Sequence, residues 1–129
     1  MKDKNAGKKR GNLGPKQISL ILILILEIML VFAVLDYFAH ALINLSQVPT
    51  YYFGDEAIYG TILGFFVYLI IRKNRILPKS IVFSAVMALA IQAAYIILGY
   101  SLNFVIAFFV IDFALLLLVS YFGFKIKKM

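Results

Sequence analysis

The chain has 129 residues, 64% of them hydrophobic and 15% charged, with a mean hydropathy of +0.97. About a quarter of a soluble domain is charged, so this composition excludes an ordinary soluble fold. The formal charge of +7 sits at the ends of apolar runs, which argues for membrane topology and against nucleic acid as a partner. There is no cysteine, which excludes disulfides, thiolate metal sites and cysteine nucleophiles.

Residues 1–17 read as a basic, flexible tail, with Gly14-Pro15 just before the apolar pattern. The first apolar run spans 18–45 and opens on an unbroken Leu/Ile block, Leu20 to Leu26. β-Branching alone would allow a strand there; the length of the run predicts a helix. A basic start followed by Ala39-His40-Ala41 mimics a signal-peptide cleavage site. The apolar stretch is too long for a signal and contains Glu27, so no cleavage is expected.

A loop over 46–55 follows, with Pro49 and the aromatic trio Tyr51-Tyr52-Phe53 suited to a headgroup boundary. Asp55 and Glu56 should open a second helix, 56–71, where carboxylates meet the positive end of the helix dipole. Pro78 should begin a third, 78–98. Gly99 to Asn103 reads as a tight turn before a fourth, 102–124, and residues 125–129 form a short basic end.

The basic residues fall into three clusters: Lys2, Lys4, Lys8, Lys9, Arg10 and Lys16; Arg72, Lys73, Arg75 and Lys79; Lys125, Lys127 and Lys128. The other two connections carry none. Under the positive-inside rule this is an all-α integral membrane protein, four transmembrane helices in an up-down bundle with both termini cytoplasmic. The Lys and Arg residues from Lys8 onward are expected to contact an anionic inner leaflet, at about 1 kcal/mol each. Small size and the lack of eukaryotic sorting signals lean towards a prokaryotic plasma membrane.

Acids inside a span are costly unless paired, protonated or wet, so they are the best functional signal available. Glu27 lies about 13.5 Å in from Ile18, and Asp112 about 15 Å in from Leu102, at helical rise. Gln92 falls near the same depth, on a face with Ser84, Ala88 and Tyr95. Glu27, Gln92 and Asp112 therefore form a candidate midplane site for a proton or small cation. The alternative is neutral acids hydrogen-bonded across helices or to a partner subunit.

Asp36 and His40 share one helical face, roughly opposite to Glu27. With Asp55 and Glu56 they make a candidate outer metal or hydrogen-bond site, although a lone histidine favours the plain hydrogen bond. Gly60 and Gly64 form a GxxxG suited to close helix packing, as do Ser84 and Ala88.

No catalytic set, cofactor motif or loop of useful size is present, so an enzyme is not expected. The expected function is an accessory or structural subunit of a larger membrane complex. The alternative is an oligomeric proton- or cation-coupled transporter or channel using the midplane carboxyls. Expected partners are the bilayer and other membrane subunits, or copies of the same chain.

Overall fold

The computed structural model describes residues 14–42 and 51–128. These form four helices: α1 (Pro15–Leu42), α2 (Tyr51–Ile71), α3 (Ile76–Leu98) and α4 (Leu102–Lys127). Each is long and apolar enough to cross a membrane. Residues 1–13, 43–50 and 129 lie outside the described residues, and most of the expected tail, with Lys8, Lys9 and Arg10, falls there.

The ends depart from the sequence expectation for local reasons. Helix α1 starts at Pro15, because proline's fixed φ and missing N–H suit the first helical position. Helix α2 starts at Tyr51, so the aromatic trio lies in its opening turn and Asp55-Glu56 come after it. Helix α3 starts at Ile76 and holds Pro78 within its first turn, where no N–H is owed to a carbonyl. Helix α4 runs on to Lys127, so its end takes in Lys125.

The connection between α3 and α4 is built by two residues. Gly99 adopts φ 92°, and the N–H groups of Gly99 and Tyr100 donate to Ile96 and Tyr95 at 3.1 Å each. These paired bonds are the Schellman stop, which needs a residue at ease in the left-handed region. Ser101 then caps α4, its hydroxyl accepting from the Phe104 N–H at 3.3 Å.

Each helix packs on two others: α1 on α2 and α4, and α3 on α2 and α4. The α3–α4 contact is the most extensive and α2–α3 the least. Lipid is as apolar as leucine, so close van der Waals fit rather than the hydrophobic effect holds such helices together. Gly60 abuts Met29, Gly64 abuts Ile25 and Phe83, and Gly123 abuts Ile28 and Leu24. The core between them holds Phe32, Phe83, Met87, Tyr95, Phe108 and Phe124. The Ser84 hydroxyl donates to the Ser80 carbonyl at 2.6 Å and lies 3.3 Å from that of Ser120, so this small polar stripe is satisfied.

Lys79 departs from its expected role as a lipid contact. It is 3% exposed, with its ammonium 5.2 Å from the ring centres of both Tyr68 and Phe124. The two aromatic faces attract the cation inward. Lys16, Lys73, Arg75, Lys125, Lys127 and Lys128 are exposed and Arg72 partly so.

Candidate functional site: a buried carboxyl cluster

The inward face of α1 is set by its apolar stripe, Ile21, Leu24, Ile25, Ile28, Met29, Phe32 and Ala33. Continued at helical spacing, that stripe carries Asp36 and His40 into the interior. Asp36 is 0% exposed, as is Asp112 on α4, and Glu56 on α2 is 7% exposed. The Asp36 carboxyl is close enough to those of Glu56 and Asp112 for each to act on the other electrostatically. Three acids from three helices thus meet in one place.

The surroundings are polar but incomplete. Gln92 on α3 donates its Nε2–H to Asp112 Oδ2 at 2.8 Å. His40 Nε2 lies 3.5 Å from Asp36 Oδ1 and 3.0 Å from the Tyr95 hydroxyl. The imidazole is stacked on Phe108 with ring centres 3.9 Å apart, and Tyr52 stacks on Tyr95 at 5.2 Å. Taken as ionised carboxylates, both oxygens of Asp36, both of Glu56 and Oδ1 of Asp112 are buried with no donor among the described residues. His40 Nδ1 and Gln92 Oε1 also lack a partner there. Acceptors facing acceptors in a low dielectric repel, and protons placed between the oxygens turn that repulsion into hydrogen bonds.

Two candidate sites from the sequence are therefore rearranged. Gln92 and Asp112 meet as the midplane reading required. Glu27 does not join them: its side chain is 52% exposed and its Oε1 lies 3.8 Å from Lys127 Nζ. Depth counted from Ile18, the first apolar residue, puts Glu27 near the level of Asp112. In the fold, Leu24 and Ile28 pack on Gly123, so Glu27 sits level with the end of α4. Asp112 is about 16 Å farther along that helix. The expected opposition of Glu27 and Asp36 around α1 is present, with Asp36 facing inward.

The outer set is also split. Asp36, His40 and Glu56 join the cluster, whereas Asp55 is exposed. No group of three His, Cys, Asp or Glu among the described residues is arranged to hold a metal ion. Tyr52, expected at a headgroup boundary, instead stacks on Tyr95 beside the cluster, and a sequence signal accompanies it. Three helices each carry a polar pair at helical spacing: Asp36 and His40, Tyr52 and Glu56, Gln92 and Tyr95.

Beside the cluster, between α2 and α3, lies a groove of about 160 Å³ lined by Glu56, Tyr52, Tyr59, Met87, Ala90 and Ala94 among others. Searches against protein-family models, curated proteins and solved structures found no match.

Proposed function

We propose that this chain is a proton-binding membrane protein that works as an oligomeric, proton-coupled small transporter or channel, with Asp36, Glu56 and Asp112 as the proton site. The observation that carries it is the convergence of three buried acids whose oxygens lack donors. Ionisable side chains inside a membrane are costly and rare, and those facing a bundle interior are associated with proton relays and ion pathways. His40 and the Tyr95 hydroxyl extend the cluster as further proton carriers. Four helices leave little room for a pathway, hence the oligomer.

The same proposal includes an up-down bundle in the plasma membrane with both termini cytoplasmic. Its support is the pattern of basic clusters, together with contact pairs whose numbers run in opposite senses: Ile25 with Gly64 and Met29 with Gly60, Ser84 with Ser120 and Gln92 with Asp112. A second reading is the accessory subunit of a larger complex, with no catalysis of its own. It draws on the exposed stripe of Tyr59, Ile62, Phe66 and Ile70 along α2, which offers a seat for a partner helix.

Infrared spectroscopy of the protein in lipid tests the proton site. The proposal expects a protonated-carboxyl stretch at neutral pH that shifts in D2O and weakens in Asp112→Asn. A spectrum with ionised carboxylates only would sink it. Native mass measurement after mild extraction separates the two assemblies: a homo-oligomer favours the transporter, and stoichiometric larger subunits favour the accessory role.

A further inference from the structure

The groove between α2 and α3 joins two properties that rarely occur together. Its walls are mostly apolar, with Met87, Ala90 and Ala94 from α3 facing Gly60 and Leu63 from α2. Among its lining residues is Glu56, more than nine-tenths buried, with both carboxyl oxygens lacking any donor among the described residues. Tyr52 and Tyr59 flank that acid one helical turn to either side and also line the groove. It lies between the two helices that pack least extensively on each other.

We infer that this groove binds a small lipophilic organic cation, a single-ring aromatic or short-chain ammonium, with Glu56 as its counter-charge. Charge complementarity decides the class. The groove carries Asp55 beside Glu56 and no basic residue, so an anion has nothing to pair with. An inorganic cation would forfeit its hydration shell for apolar walls and finds no metal-like set of ligands among the described residues. An organic ammonium loses little, because its carbon groups suit the walls and its charge suits both the carboxylate and the tyrosine faces. The groove is about 160 Å³ and open along one side, so it has room for a single ring while the rest of the molecule lies at its mouth.

This inference rests on the proton reading of the cluster for one step only, the exchange. When the cation enters, Glu56 gives up its proton to water, so the charge of the site is unchanged.

Benzyltrimethylammonium is the probe, and neopentylbenzene, in which carbon replaces the charged nitrogen, is its neutral isostere. Both would be titrated calorimetrically into the full chain in nanodiscs, with empty discs subtracted and released protons followed by a pH dye. The expected result is saturable binding of the cation, weaker binding of the isostere, and release of up to one proton per cation. Glu56→Gln should weaken cation binding at least tenfold and leave the isostere unaffected. Tyr59→Leu changes an exposed side chain and guards against a misfolded Glu56→Gln. It should weaken only the cation, by about two- to fivefold.

Equal binding of cation and isostere, or cation binding indifferent to Glu56→Gln, would overturn the inference and make the groove a seat for a lipid acyl chain. Absence of any binding would overturn it too, and the infrared carboxyl band would then decide the proton reading separately. Binding that depends on Glu56 but releases no proton would uphold the cation site and count against the proton reading.

Discussion

At the residue scale the decisive contrast is between two acids of one helix. Glu27 and Asp36 both interrupt the apolar sequence of α1, yet one lies at the surface near a lysine and the other is sealed against two more acids. Glu27→Gln removes half of an exposed pair and should change stability by less than about 0.5 kcal/mol. Gln92→Leu leaves Asp112 Oδ2 without its donor and should cost about 1–3 kcal/mol. Reversible unfolding in mixed micelles would compare them, and equal effects would contradict the placement of Glu27. Asp36→Asn is a sharper test. It places a fixed N–H donor amid donor-starved oxygens, so the variant should unfold no more easily than the parent.

At the scale of the elements, the glycines of α2 are unequal. A methyl group at Gly60 would press on the end of the flexible Met29 side chain, which can swing aside. At Gly64 it would meet Ile25 Cγ2 at 2.9 Å and the Phe83 ring at 3.3 Å, both stiff neighbours. Gly64→Ala should therefore cost about 1–3 kcal/mol and Gly60→Ala less, read by the same unfolding assay. Larger side chains at either position, as in Gly60→Leu, should disturb packing outright. The GxxxG spacing announced close approach, but only the identity of the facing residues ranks the two positions. Gly99 differs in kind: nothing crowds it, so Gly99→Ala should cost about 1 kcal/mol through its positive φ alone.

At the scale of the whole molecule, the natural absence of cysteine offers a direct test of topology. Asn74→Cys and Ser101→Cys place single thiols in the α2–α3 and α3–α4 connections, away from the carboxyl cluster. In intact cells a membrane-impermeant maleimide should label the second and not the first. Labelling of the first alone would invert the bundle, and labelling of both from outside would break the four-span reading.

Four long apolar helices and their approximate limits were legible from the sequence, because spanning length and the clustering of charge at span ends are properties of consecutive residues. Three of the four helix starts lie two to five residues earlier than expected, since Pro15, the Tyr51-Tyr52-Phe53 turn and Pro78 are all tolerated in a first turn, while the fourth falls at Leu102 as expected. The pairing of Gln92 with Asp112 was also legible, since depth along two spans joined by a short turn can be counted. What the sequence left open was which acids meet. Depth in α1 depends on how far that helix is displaced along α4, and the packing of Leu24 and Ile28 on Gly123 sets that displacement. Tertiary contact alone therefore moved Glu27 out of the site and brought Asp36 and Glu56 in. Span number follows from local solvent preference, whereas the carboxyl cluster depends on the relative height and rotation of helices far apart in the chain.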